Sequence, residues 1–139
     1  MKRVGTLVIA VLASTALWTA PAQADTGGGC ASGSNSSVCI SVTSGTTNPL
    51  KSDYYLSSTS LGEYSADVYL VYTYSSGPCT SINGTNSSFK GTVAPVWTGH
   101  SPVYSTTKPA GANCGRTHVI FRNSSGSWIY DNYSPWQRW

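Results

Sequence analysis

The stretch Ala66-Asp67-Val68-Tyr69-Leu70-Val71-Tyr72-Thr73-Tyr74 is the longest unbroken β-favouring run beyond the N-terminal region, and its reading decides the fold. Alternate side chains of a strand point to opposite faces, so Val68, Leu70, Tyr72 and Tyr74 share one side while Tyr69, Val71 and Thr73 share the other. Both sides are largely apolar. Such a run belongs in mid-sheet, with a neighbour on each edge and packed layers above and below.

Working outward, the sequence offers those neighbours. Before the central run, Val38 to Thr43 alternates Val38, Ile40 and Val42 against Cys39, Ser41 and Thr43, the pattern of a half-buried strand. A turn region over Ser44 to Pro49 follows. Asp53 to Ser60 is less apolar and is expected near an edge. After the central run, Asn83-Gly84 suits a tight hairpin turn, Phe89 to Trp97 alternates imperfectly, and Pro95 argues for an edge or a bulge. Pro102 to Thr107 is a further short strand. Arg116 to Asn123, the turn Asn123-Ser124-Ser125-Gly126 and Ser127 to Asp131 form the clearest hairpin of the chain. About seven strands spaced by turn signals, with no persuasive helical period, imply an all-β fold, a small antiparallel β-sandwich.

The N-terminus reads as a secretory leader. Met1-Lys2-Arg3 is basic, Val4 to Trp18 is an apolar run short for a membrane span, and Ala22-Gln23-Ala24 is a small-residue cleavage site. Three segments are thus expected: residues 1–24 as signal peptide, residues 25–37 as a flexible Gly/Ser-rich arm, and residues 38–139 as the sandwich with an aromatic tail. Removing 24 residues from 139 leaves a mature chain of 115, one modest domain whose core needs help. Cys30, Cys39, Cys79 and Cys114 supply it, because an even cysteine count in a small exported chain points to disulfides. Cys30 with Cys39 and Cys79 with Cys114 is the favoured pairing, the first bridge stapling the arm. Cys39 with Cys79 is the competitor.

Charge is scarce. The mature chain keeps six Lys and Arg against five carboxylates, a net charge of +1, which makes no electrostatic case for nucleic acid or an anionic membrane as partner. No second apolar run of membrane length follows the leader, so no membrane insertion is expected. A search for chemistry finds little to work with. There is no Gly-x-Ser-x-Gly elbow, His100 and His118 are the only imidazoles, no Cys-x2-Cys or His-x3-His pair marks a metal, and no Gly-rich phosphate loop leads into a helix. No catalytic residue, cofactor or metal ligand is assigned, and the chain is not expected to be an enzyme.

Aromatics are the remaining signal, with fifteen Trp, Tyr and Phe residues in the mature chain. Tyr54, Tyr55, Tyr69, Tyr72 and Tyr74 crowd adjacent strands, and Trp136 and Trp139 close the tail. Such faces anchor protein partners or stack on sugars, and cross-strand rings also simply stabilise sheets. The tail Trp residues either fold back over one end of the core or stand out as anchors. These seven aromatics are the candidate binding residues.

The Ala22-Gln23-Ala24 leader end, the Gly/Ser arm, Val38-Cys39-Ile40-Ser41-Val42 and the Tyr-rich strands together resemble the small two-disulfide secreted β proteins of filamentous soil actinobacteria. Within that population the chain is similar in size and in its N-terminal arm to the adaptor subunits of umbrella toxin particles. That resemblance implies a protein partner reached by inserting the arm into a lectin-like subunit, and no catalysis. The expected function is therefore a secreted, non-catalytic interaction protein joining a larger extracellular assembly. A module for cell-surface glycans is the alternative, and a small inhibitor or antibacterial effector the next.

Overall fold

The computed structural model describes residues 27–43, 49–74, 76, 78–79 and 85–139. The expected leader, the start of the arm at residues 25–26, the turn over residues 44–48 and the Asn83-Gly84 turn lie outside the described residues. Among the described residues the chain forms ten strands: β1 (Gly27–Gly33), β2 (Ser36–Val42), β3 (Leu50–Leu56), β4 (Ser65–Thr73), β5 (Asn86–Val93), β6 (Gly99–His100), β7 (Tyr104–Thr106), β8 (Cys114–Arg122), β9 (Trp128–Tyr133) and β10 (Gln137–Arg138). No helix among them is long and apolar enough to cross a membrane.

All strand pairs are antiparallel and they build two sheets. The first runs β1-β2-β3, with β6 and β7 sharing the far edge of β3. The second runs β5-β4-β8, with β9 and β10 sharing the far edge of β8. The quoted stretch is mid-sheet: β8 pairs with β4 from Ser65 to Thr73, and β5 lies along its other edge. Its packing is one-sided, however. Ala66, Val68 and Leu70 are buried between the sheets, whereas Asp67 and Tyr69 of the other face are half-buried. Val71 and Thr73 are nonetheless buried on that face, where Thr73 sits opposite Cys114, which carries the Cys79–Cys114 bridge.

The two sheets face each other across a common core, so the molecule is a β-sandwich. Val38, Tyr54 and Leu56 of the first sheet meet Ala66, Val68, Val119 and Phe121 of the second. Tyr54 meets Phe121 edge-on at 5.2 Å, and Phe121 stacks on Tyr130 at 4.8 Å. Each fully buried side chain of this size contributes about 1.5–3 kcal/mol relative to exposure. A second cluster of Ile40, Val42, Leu50 and Leu70 fills the other end, with Tyr72 and Trp139 packed against it. Polar groups inside are satisfied in pairs. Thr117 Oγ1 donates to Ser52 Oγ at 2.8 Å across the sheets, and buried Glu63 accepts from Asn35 Nδ2, Leu61 N and Tyr130 Oη.

Both disulfides are Cys30–Cys39 and Cys79–Cys114, the favoured pairing. Two expectations are overturned. The arm expected to be flexible is, over residues 27–37, an ordered hairpin: β1 pairs with β2 from Gly27 opposite Val42 to Gly33 opposite Ser36, stapled where Cys30 faces Cys39. Its glycines reflect close approach. A Cβ at Gly29 would lie 3.3 Å from Pro135 Cγ, and one at Gly27 would lie 3.0 Å from Gln137 Oε1, so side chains there would require the tail to shift by a few tenths of an ångström. The strand expected near an edge, β3, sits mid-sheet between β2 and the β6/β7 pair, and its polar Ser52 is buried against Thr117.

Candidate interaction surface

The residues that alternate with the core set make the outer face of the second sheet. Strand register brings Phe89 opposite Tyr69, Tyr69 opposite His118 and His118 opposite Tyr133. Four rings therefore cross four strands in a row, with successive centroids 5.4, 5.9 and 4.0 Å apart. His118 and Tyr133 are parallel to within 4°. The Arg116 guanidinium carbon lies 3.9 Å from the Tyr133 ring centre and 4.6 Å from that of Trp136. A guanidinium and an imidazole each about one van der Waals contact from the same ring cannot share a face, so Tyr133 is covered on both sides and Arg116 is held between two aromatics.

Ionic groups frame the row. His118 Nε2 and Asp131 Oδ2 are 2.7 Å apart, and Asp67 accepts from Arg122 Nε at 2.9 Å and from Thr92 Oγ1 at 2.6 Å. Burial pushes the His118 imidazole below its ordinary range; the bond to Asp131 opposes this and the neighbouring Arg116 charge reinforces it. Burial likewise lowers Arg116 and raises the Tyr133 hydroxyl. Phe89, at 57% exposed, is the most open ring of the row, and Trp128 projects further along the sheet beside Arg122.

A smaller patch lies on the first sheet. Tyr55 meets His100 edge-on at 5.2 Å, and Trp97 Nε1 donates to the His100 carbonyl at 3.2 Å. Tyr55 and Trp97 are exposed. Asp53 shares their face by alternation, its carboxyl raised by burial with His100 acting against that.

The sequence-derived candidates do not form one surface. Tyr54 is 1% exposed and belongs to the core, a correction that follows from alternation: Tyr54 and Tyr55 are adjacent in β3 and must point to opposite faces. Tyr55 joins the first-sheet patch and Tyr69 the ring row. Tyr72 is half-buried against the second core cluster, and Tyr74 is exposed with its ring edge-on to Tyr72 at 5.8 Å. Trp136 is half-buried beneath Arg116, while Trp139 folds back on the core and donates from Nε1 to the Ala112 carbonyl at 2.7 Å. Sequence reasoning missed Phe89, Arg116, His118 and Tyr133 as a set, as well as Trp97 and His100. The final hairpin was legible and carries His118, but its return strand, expected to end at Asp131, runs on to Tyr133, and a register shift between Phe121 and Arg122 defeats counting outward from its turn.

Among the described residues no three His, Cys, Asp or Glu side chains gather as a metal site would require. The arrangement offers instead a stiff, strand-borne surface of rings and one stacked cation. No family profile, curated protein or solved structure matches the chain.

Proposed function

We propose that the chain is a secreted, non-catalytic interaction protein that joins a larger extracellular assembly through the outer face of its second sheet. The observation that supports this reading is the Tyr133, Arg116 and Trp136 stack beside exposed Phe89. Trp, Tyr and Arg are the residue types that dominate the centres of protein interfaces, and side chains already fixed by stacking lose little entropy on binding. Sugar stacking needs open ring faces, and both faces of Tyr133 are taken, which favours a protein partner here. Two disulfides in a chain of this size fit an oxidising, extracellular setting. The adaptor role keeps its partner class, with the interface assigned to this face because residues 27–37 are paired within the sandwich.

The test is capture from culture supernatant with tagged residues 25–139, read by mass spectrometry. A stoichiometric protein partner is expected, lost with Phe89→Ser and kept with Tyr55→Ser. No partner for the unmodified protein would sink the proposal. Glycan binding is the second reading, favoured by the first-sheet patch, where exposed Tyr55 and Trp97 both meet His100. On a glycan array that activity would survive Phe89→Ser and fall with Tyr55→Ser or Trp97→Ser.

A further inference from the structure

Arg116 stands out among the charged groups of the second sheet's outer face. Its guanidinium is fixed between Tyr133 and Trp136, yet its Nε is buried with no hydrogen-bond acceptor among the described residues. Its two Nη nitrogens also bond no described group, and the side chain as a whole is half-buried. Among the described residues the side-chain carboxylates are engaged elsewhere: Asp131 with His118, Asp67 with Arg122 and Thr92, Glu63 with Asn35, Leu61 and Tyr130, and Asp53 on the other sheet facing His100. With His118 held below its ordinary range, Asp131 balances Arg116 in the formal charge of this face, but no described carboxylate bonds the guanidinium itself. Holding a partly desolvated cation without a counter-ion is unfavourable, and stacking on two rings offsets only part of that cost.

We infer that the outward edge of the Arg116 guanidinium is a receptor for a carboxylate on an acidic segment of the protein partner. A guanidinium presents paired N–H donors in a planar fork that matches the two oxygens of a carboxylate, and one already stacked needs no further ordering to bind it. The rings on either side fix the plane of the fork, and Phe89 and Tyr69 supply apolar contact along the same row. This inference rests on the interface reading given above.

The experiment is a nuclear magnetic resonance titration of isotope-labelled residues 25–139 with an acetylated, amidated hexaglutamate peptide, its hexaglutamine counterpart and a sulfated disaccharide as separate probes. The Arg116 Nε–H and the Trp136 indole N–H signals are expected to move saturably with hexaglutamate only. Affinity is expected to fall about tenfold in Arg116→Lys, which keeps the charge but loses the fork and its stacking, and to weaken as salt is raised. Motion of these signals with hexaglutamine to the same degree, no motion with hexaglutamate, or binding of the sulfated sugar in its place would each overturn the inference. The wild-type titration does not depend on how well Arg116→Lys folds. A captured partner that still binds Arg116→Lys leaves the interface standing and removes this inference. Hexaglutamate binding with no captured partner would leave Arg116 a carboxylate site but overturn its assignment to a protein partner.

Discussion

His118 carries the pH response expected of this surface. Its folded pKa is pushed below the ordinary 6.5, first by burial, with the Asp131 bond opposing and the Arg116 charge adding. The unfolded chain therefore takes up the proton before the folded one does. The sign follows: the contribution of His118 to stability is complete above the unfolded value and is lost as pH falls from there through the folded value. Asp53 acts in the opposite sense, because burial raises its carboxyl and its protonation at acid pH favours the folded state. Comparing variants separates the two. Thermal melts at pH 7 and pH 5 should show a drop in Tm for the wild type that is smaller in His118→Gln; an equal drop in both would refute the assignment. At this scale the sequence was partly legible. Alternation showed that Tyr54 and Tyr55 part company, but which of them faces the core depended on β2, which pairs Val38 with Tyr54.

At the scale of elements, the β1–β2 hairpin is the feature least visible beforehand. Gly27, Gly28, Gly29 and Gly33 supply no apolar pattern, so composition alone indicates disorder. What orders the strand lies far away in sequence: β2 on one side, the Cys30–Cys39 bridge, and β9 and β10 packed against it. Replacing Cys30 and Cys39 by Ser should cost roughly 2.5–3 kcal/mol for a sequence separation of 9, and replacing Cys79 and Cys114 roughly 4 kcal/mol for a separation of 35, by loop-closure entropy. Urea denaturation measures both. With the first bridge lost, hydrogen exchange should find the core amides of β4 and β8 losing protection by that global amount and Gly27–Gly33 losing more through local opening; an equal loss throughout would show that β1 opens only with the cooperative core. The β8–β9 hairpin was legible by contrast, since its turn chemistry is local: Asn123 Oδ1 accepts from Ser125 N and Ser127 N, and Gly126 adopts a φ of 82°.

Across the whole molecule, the two sheets are joined by apolar burial and by hydrogen bonds, among them a hydroxyl pair in the core. Ser52 and Thr117 are both fully buried, and each is the other's partner across the interior. Ser52→Ala should cost about 1–3 kcal/mol because it strands the Thr117 hydroxyl, whereas Ser52→Ala combined with Thr117→Val should cost less than the sum of the two single changes. Chemical denaturation of the four proteins in that cycle gives the coupling directly. Additive losses would mean that the pair contributes nothing as a pair.

By itself the sequence determined what depends on neighbours in the chain. The apolar run at Ala66 to Tyr74 required a central strand, spaced turn signals required antiparallel strands, and four cysteines in a small chain required bridges. These are local or compositional constraints, and two antiparallel sheets with both favoured disulfides followed from them. Only the tertiary structure decided that β1 exists as a strand, that β3 lies inside its sheet, and that Arg116 meets Tyr133 and Trp136. Each depends on register between strands distant in sequence, and a shift of one residue turns every side chain to the opposite face. Alternation gives each strand two faces. The partner strands choose which of them becomes core and which becomes surface.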